Sequence, residues 1–305
     1  MAGSVGEVLA AARARLAAAG VDGADREAAW LLAHVLGCPA GALIARRAEA
    51  LSPDAAAAFE ALVARRTARE PLQYILGTEE FMGLTFRVSP AVLIPRQDTA
   101  VLVEQAVARL ARMEREPLLV ADVGTGSGAI AVAVAHLLPR ARVLAVDVSE
   151  EALSVAAENA RLAGVAGRVD FRPGDLLKPL MAWADWGGRS PGSAGDGGKG
   201  PVCFDAILSN PPYIADSEIP DLMPEVRDWE PRIALSPGAD GLAFYRRLAQ
   251  EAPPLLRPGG FLAVEVGIGQ AGAVTELLQA AGFRGIAVYR DTAGVDRAVF
   301  GSVAS

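Results

Sequence analysis

Apolar positions recur at helical spacing from Ser4 to about Arg69. Val8, Leu9, Ala12 and Leu16 share one face, Gly20 and Gly23 interrupt, and Ala28, Leu31, Leu32 and Val35 resume the spacing. A third helix is predicted to start at Ser52-Pro53-Asp54, where Ser52 can cap and Pro53 suits the first helical position. The pattern then changes. Glu80 to Met82 and Leu84 to Val88 read as a short hairpin around Gly83, followed by Ser89-Pro90 and Ile94-Pro95. A helix from about Thr99 to Arg112 opens an alternation of short apolar runs and helical stretches. Strands are predicted at Leu118–Val123, Arg142–Val146, Arg168–Arg172, Phe204–Ser209 and Gly260–Val266. Helices are predicted at Ala129–Leu138, Glu150–Ala163 and Ala271–Ala281, and a closing hairpin at Ile286–Arg290 with Arg297–Phe300. Short apolar strands separated by helices imply a mostly parallel sheet covered on both faces, an α/β fold of Rossmann-like form. The expected organisation is a helical bundle over 1–75, a linker with a hairpin over 76–98, and the α/β domain over 99–305. The stretch Trp186 to Pro201, dense in Gly, Ser and Pro, reads as a solvated loop inserted before the strand at Phe204.

Composition narrows the function classes. With 52% hydrophobic and 21% charged residues the chain has the balance of a globular protein. A net charge of −7 and a sequence pI near 5.1 argue against binding long stretches of nucleic acid, which calls for a basic face. Cys38 and Cys203 lie far apart, neither in a C-x-x-C pair, and His34 and His136 are the only histidines, so no metal site is expected. The N-terminus lacks a charged region followed by an apolar one and no apolar run reaches membrane-spanning length, which predicts a cytoplasmic, reduced protein. The helical bundle carries no titratable cluster. It suits recognition or docking better than catalysis.

Chemistry is expected at two strand ends. Asp122-Val123-Gly124-Thr125-Gly126-Ser127-Gly128 follows the first strand and leads into a helix, and Asp147 closes the next strand. Glycines there let a ligand approach the backbone without meeting a β-carbon, and a carboxylate at Asp147 can accept both hydroxyl hydrogens of a ribose. The frame predicts an adenosine-bearing ligand, and both NAD and S-adenosylmethionine satisfy it. The glycine spacing is G-x-G-x-G, not the G-x-G-x-x-G that brings a helix N-terminus onto a pyrophosphate. An acid, one position and G-x-G-x-G resemble the first motif of class I methyltransferases. That resemblance implies S-adenosylmethionine as cofactor, with Asp122 at the methionine ammonium end and the loop Gly124, Thr125, Gly126, Ser127 and Gly128 beside the sulfonium. It also implies that Asp175 accepts from the adenine amino group while Leu176 lines the ring. Read alone, Asp175 could equally cap the turn that follows it.

The second strand end carries Ser209-Asn210-Pro211-Pro212-Tyr213. A planar amide or aromatic amine is a poor nucleophile because its lone pair is delocalised. The Asn210 side-chain oxygen and the Pro211 carbonyl could accept both of its N–H hydrogens and favour charge building on the nitrogen. Pro211 and Pro212 present no competing backbone donor, and Tyr213 offers a flat face. Asn210, Pro211 and Tyr213 are thus the catalytic candidates, Asn210 to Tyr213 the substrate-binding ones, and Asn210 also borders the cofactor site. The motif resembles that of methyltransferases acting on glutamine amides, DNA adenines and guanines of ribosomal RNA, so the molecule carrying the nitrogen stays open at this point.

Residues outside the motif narrow it. Arg69-Glu70-Pro71-Leu72-Gln73-Tyr74-Ile75-Leu76-Gly77, Phe81 and Val92-Leu93-Ile94-Pro95-Arg96-Gln97-Asp98-Thr99 resemble the release factor glutamine methyltransferase family. Glu230-Pro231, Leu235, Gly241-Leu242, Pro258-Gly259-Gly260, Arg290-Asp291 and Asp296-Arg297 extend the resemblance over nearly the whole chain. Gln97, where the family usually has Pro, and the Gly-rich insertion depart from it. The resemblance implies a protein substrate, the glutamine of the Gly-Gly-Gln motif in class-1 peptide chain release factors, and a docking role for the helical bundle. It leaves Arg96 either beside the cofactor or in a structural ion pair. The alternatives are a sister enzyme acting on a glutamine of a large-subunit ribosomal protein, an adenine-N6 methyltransferase, and a non-catalytic adenosine-binding regulator. The adenine enzyme is disfavoured by the absence of a basic, aromatic-rich recognition segment, and the regulator by the intact Asn210 and Tyr213.

Overall fold

The computed structural model describes residues 3–181 and 203–304. The Gly-rich stretch 186–201 therefore lies outside the described residues. The chain forms two compact units, Met1–Thr78 with Leu222–Trp229, and Glu79–Asp221 with Glu230–Ser305.

The first unit contains α1 (Val5–Ala18), α2 (Ala24–Leu36), α3 (Pro53–Thr67) and α4 (Leu72–Leu76). Ser4 opens α1 with a reciprocal cap: its hydroxyl accepts from the Glu7 N–H at 3.3 Å, and its own N–H donates to the Glu7 carboxylate at 2.7 Å. Ser52 caps α3 with Pro53 in the first turn, and Gly37 ends α2 in the left-handed conformation. Leu16, Leu31, Leu32, Phe59 and Val63 fill the bundle core. A buried ion-pair network also belongs to this unit. The Arg66 guanidinium lies 2.5 Å from Glu27 and 2.9 Å from Glu225, and Arg69 forks onto both Glu225 oxygens at 2.7 and 2.6 Å. Glu225 sits in α9 (Pro224–Arg227), in the returning segment that periodicity did not assign to the bundle. Each of these charges has a partner, as burial demands.

In the second unit, β1 (Thr78–Phe81) and β2 (Leu84–Arg87) form the hairpin. Phe81 and Phe86 are buried with α5 (Thr99–Ala111), and the Arg87 N–H and C=O both bond the side chain of Asn159, at 2.7 and 3.0 Å. The hairpin is thus part of this unit's body. The α/β elements follow as β3 (Leu118–Val123), α6 (Ala129–Leu137), β4 (Ala141–Asp147), α7 (Glu150–Leu162), β5 (Val169–Pro173), α8 (Lys178–Met181), β6 (Phe204–Ser209), α10 (Ala243–Glu251), β7 (Leu256–Glu265), α11 (Ala271–Ala280), β8 (Arg284–Arg290) and β9 (Asp296–Ser302).

Among the described residues one seven-stranded sheet runs β5-β4-β3-β6-β7-β9-β8, parallel except for β9, which is antiparallel to β7 and β8. Every residue of β3 and β6 is buried, and apart from Asp122, Asp205 and Ser209 these strands are wholly apolar. Alternate side chains serve opposite faces. Leu118 and Val120 join the cluster with α5 and α6, whereas Leu119, Ala121 and Val123 join the one with α8, α10 and α11. Strand β7 starts at Leu256, earlier than its apolar run, because Leu256 pairs with Phe204 before an irregularity in the register. The sheet order reverses between β3 and β6. A crevice opens there at the C-terminal strand ends, where α/β sheets bind ligands.

Candidate active site

The C-terminal ends of β3, β4, β5 and β6 enclose a cavity of about 260 Å³. At the end of β3 the chain turns sharply, with the N–H groups of Gly124 and Thr125 both donating to the Val146 carbonyl, at 2.8 and 2.9 Å. Gly126, at φ +54°, faces the cavity and donates its N–H to Asp147 Oδ2 at 2.8 Å. Gly128 has a different task. A β-carbon there would lie 3.0 Å from the Ala156 β-carbon, so its absence lets α6 approach α7.

Of the residues the sequence assigned to the cofactor, Gly124, Gly126, Asp147, Asp175, Leu176 and Asn210 line the cavity. Asp122, Thr125, Ser127 and Gly128 do not. Asp122 is fully buried beneath the loop, its Oδ2 accepting from the Thr125 hydroxyl at 2.6 Å and the Ala131 N–H at 3.0 Å. The Ser127 carbonyl accepts from Asn159 Nδ2 at 2.8 Å. These residues shape the loop from behind, and in the pleat of β3 Asp122 falls on the side of Leu118 and Val120. Asp147 accepts through both oxygens, from Gly126 and from the Ser149 N–H at 3.0 Å. Among the described residues the Asp175 side chain meets cations and caps no helix. Arg247 forks onto its two oxygens at 2.8 and 2.9 Å and Lys178 lies 2.8 Å away, and these cations hold the carboxyl down at about 2. Leu176 adopts φ +49° and, with Val148 and Phe244, supplies apolar wall between the carboxylates.

At the end of β6 the buried Ser209 hydroxyl donates to the Val123 carbonyl at 2.6 Å and fixes the strand end against β3. Asn210, Pro211 and Pro212 then line the cavity; Tyr213 does not. The Tyr213 ring packs where a β-carbon on Gly267 would come within 2.9 Å of its Cδ2, and its carbonyl accepts from Gln270 Nε2 at 2.8 Å. Burial pushes the phenol well above its ordinary range, so Tyr213 buttresses the turn and stays un-ionised. A β-carbon on Gly241, at φ +71°, would fall 2.5 Å from the same carbonyl, which explains a glycine there. Asn210 Nδ2 donates to the Thr99 hydroxyl at 3.2 Å. Its Oδ1 has no protein partner among the described residues.

Further residues support this end, of which Ala91 and Glu265 were missed by sequence reasoning. Ala91, Val92 and Leu93 line the cavity from the segment after the hairpin. Arg96 reaches both oxygens of the buried Glu230, at 2.7 and 2.8 Å, and stands outside the cavity wall, so it is a structural ion-pair partner. Glu265, at the end of β7, is buried behind Asn210 with Oε2 lacking any hydrogen-bond partner, and Asp122 Oδ1 is likewise orphaned. An acid at a strand end that is otherwise wholly apolar was the signal for Glu265.

Burial raises both Asp122 and Glu265 to about 7, from ordinary values of 3.8 and 4.5; hydrogen bonds from Thr125 and Ala131, and from Thr99 and Asn210, pull them partly back. A carboxyl whose folded pKa is raised contributes stability that is full below its unfolded pKa and lost as pH rises through the folded one. The ligand-free protein is therefore expected to lose thermal stability between about pH 5 and about pH 8, by on the order of 5 °C in Tm. Asp122→Asn is expected to flatten that slope. A melting temperature that rises through the same window contradicts the assignment.

Among the described residues no helix is long and apolar enough to cross a membrane, and no group of three His, Cys, Asp or Glu could hold a metal ion.

Comparison with known proteins joins both units. Residues 7–77 match the PrmC N-terminal domain and residues 116–267 a methyltransferase domain. The chain is 44% identical over 300 residues to the release factor glutamine methyltransferase of Geobacter sulfurreducens, covering 98% of this chain and 97% of that protein. It is 47% identical over 292 residues to the enzyme of the same name from Moorella thermoacetica, covering 95% of each. Among solved structures, human methyltransferase 10 domain containing protein shares the fold at 15% identity and a TM-score of 0.50, over 73% of this chain and 90% of that one. The chain belongs to the release factor glutamine methyltransferase family, with a class I methyltransferase fold and an N-terminal helical domain.

Proposed function

We propose that this chain transfers a methyl group from S-adenosylmethionine to the side-chain amide nitrogen of the glutamine in the Gly-Gly-Gln motif of class-1 peptide chain release factors. The observation that carries this reading is the relationship to enzymes of that name across both units, at 44% and 47% identity over nearly the full length.

The cavity residues fit the donor. Asp147 faces it with lone pairs left beyond its two backbone bonds, which suits ribose hydroxyls. Asp175, kept ionised by Arg247, offers an acceptor for an adenine amino group beside the apolar Leu176. Asp122 holds an orphaned, buried carboxylate oxygen under the loop, and a nearby ammonium would supply the missing charge. Asp122, Thr125, Ser127 and Gly128 thus serve the cofactor through the shape and charge of the loop. When bound, S-adenosylmethionine supplies a methyl group on a sulfonium sulfur, an electrophilic carbon.

The rest of the mechanism falls to Asn210 and its neighbours. Asn210 Oδ1 and the Pro211 carbonyl accept the two N–H hydrogens of the incoming amide, which orients its nitrogen and favours positive charge developing there. Pro212 keeps donors out of the turn. Tyr213 holds the turn from behind rather than stacking on the amide. The nitrogen sheds one proton to solvent. The helical unit, with Ile44 and Trp30 exposed, is the docking surface in this reading, and the work belongs to the cytoplasm, where translation terminates.

The test is a competition. Purified chain with labelled S-adenosylmethionine is offered release factor, the glutamine-bearing large-subunit ribosomal protein, or adenine-containing DNA. Initial rates at equal concentration are expected to favour release factor by at least about tenfold. Preference for the ribosomal protein assigns the chain to the sister activity instead.

A further inference from the structure

A primary amide can present either end to a cavity, since half a turn about its last bond exchanges oxygen for nitrogen at almost no cost in shape. Only the oxygen end of Asn210 can accept a hydrogen from an incoming amide. With the amide reversed, two N–H groups would face two N–H groups, and the same side chain would repel the substrate it is meant to hold. Something must therefore fix its direction. The cavity wall does not, because Pro211 and Pro212 beside it have no backbone N–H.

The answer lies behind the turn. Thr99 begins α5 and is buried, and its hydroxyl oxygen lies 3.2 Å from Asn210 Nδ2. A hydroxyl can donate as well as accept, so Thr99 alone would tolerate either end of the amide. Glu265 removes that freedom. It is 3% exposed, it directly follows Val264, the register partner of Ser209, and the Thr99 hydroxyl and the Asn210 amide both pull its burial-raised pKa back down. Tyr245 fixes the backbone of the same residue through a 2.9 Å hydrogen bond to its carbonyl. An ionised carboxylate only accepts. The Thr99 proton is therefore drawn to Glu265, the Thr99 oxygen is left to accept from Nδ2, and the donors of Asn210 all point inward.

We propose that Glu265, through Thr99, is the positioning residue that sets the Asn210 amide with Oδ1 toward the cavity. The inference rests on the role given to Asn210 above.

The surroundings keep Glu265 free for this task. On its other sides stand Asp98 at the start of α5, Arg297 of β9, Tyr213 of the turn and Tyr245 of α10. Arg297 is already shared between Asp98 at 2.9 Å and Asp291 at 2.8 Å. Protonation would turn Glu265 into a donor toward Thr99 and release the direction of the relay. Burial brings that change into the ordinary buffer range, at about 7. An acid-side loss of turnover follows, with Asp98 and Arg297 shifting its midpoint in opposite senses.

The experiment reads the amide itself in the full chain. In nitrogen-15 spectra, the Asn210 side-chain signals are those that vanish in Asn210→Ser. In the wild type their hydrogens are expected to exchange with solvent at least about tenfold more slowly than those of an exposed asparagine. Glu265→Gln adds a competing donor, and Thr99→Val removes the hydroxyl while keeping the shape. Both are expected to speed that exchange at least about tenfold. Both should also lower single-turnover methyl transfer by about 10–100-fold, with cofactor Kd within about twofold. Thr99→Ser keeps the hydroxyl and is expected to restore slow exchange and most of the turnover. Glu265→Gln should also lose the acid limb of the wild-type pH profile. The two substitutions are independent, so misfolding of one leaves the other to decide. Exchange and turnover within about twofold of wild type in a folded Glu265→Gln or Thr99→Val protein overturn the proposal. A wild type that never methylates release factor removes the reading of function, and the exchange rates still decide what holds Asn210.

Discussion

Replacing Asn210 with alanine is expected to slow methyl transfer by about 10²–10³-fold while leaving cofactor affinity within about threefold of wild type. The asymmetry follows from where the side chain stands. Its Nδ2 is held by Thr99, and its Oδ1 is left for a ligand at the end of β6. Removing it deletes one of the two acceptors that would face the substrate amide, an interaction that strengthens as charge develops on nitrogen. The turn survives the loss. Ser209 still bonds the Val123 carbonyl at 2.6 Å, Gln270 still bonds the Tyr213 carbonyl at 2.8 Å, and Pro211 and Pro212 keep the backbone stiff. Single-turnover rates with labelled donor, alongside calorimetric Kd values, separate the two effects. A variant that binds cofactor poorly and turns over normally once saturated would move Asn210 from the acceptor to the donor site.

Asp147→Ala is expected to do the reverse, raising cofactor Kd by about 10²-fold and leaving the rate at saturating cofactor within a few fold of wild type. In the proposed reading Asp147 is where the loop meets the ligand. One oxygen takes the Gly126 N–H at 2.8 Å and the other the Ser149 N–H at 3.0 Å, while the carboxylate borders the cavity. Alanine frees the glycine loop, orphans two backbone donors and removes the acceptor for ribose hydroxyls. Hydrogen bonds to a charged acceptor contribute about 1.5–3 kcal/mol each, and the loss of two with partial rehydration amounts to roughly 2.7 kcal/mol, or about a hundredfold. Asp147→Asn keeps one acceptor oxygen and should fall between. Unchanged affinity in Asp147→Ala would exclude this carboxylate from the cofactor site.

The strands that carry the site were the most legible part of the chain. In β3 and β6 every position is buried, so hydrophobicity alone marked them, and their ends placed the two loops. Helix α10 (Ala243–Glu251) was missed. Its period was present but passed over: Tyr245, Leu248 and Ala249 are buried at helical spacing while Arg246 and Gln250 are exposed on the other side. The five-residue α4 was too brief for any period, and the assignment of 222–229 to the helical unit depends on Glu225 meeting Arg66 and Arg69, a pairing distant in sequence.

Within the site, motif spacing located the loops without saying which way their side chains point. Asp147 ends β4 and Asp122 is next to last in the parallel strand β3, yet Asp122 lies beneath the loop and Asp147 beside the cavity. Tyr213 follows the same logic, four residues after Ser209 and turned into the protein against Gly267. The residues that support Asn210 come from α5 and β7, and only the sheet order brings Thr99 and Glu265 to one place. Arg247, which holds Asp175, arrives on α10, the helix that the sequence reading passed over.

The most direct measurement is the site of the methyl group. Unmodified class-1 release factor is incubated with the chain and S-adenosylmethionine, digested and analysed by tandem mass spectrometry. The expected result is one added methyl group on the side chain of the Gly-Gly-Gln glutamine, absent with the Asn210→Ala chain and absent when that glutamine is replaced by asparagine. A release factor that stays unmodified while a ribosomal-protein glutamine gains the methyl group would contradict the account.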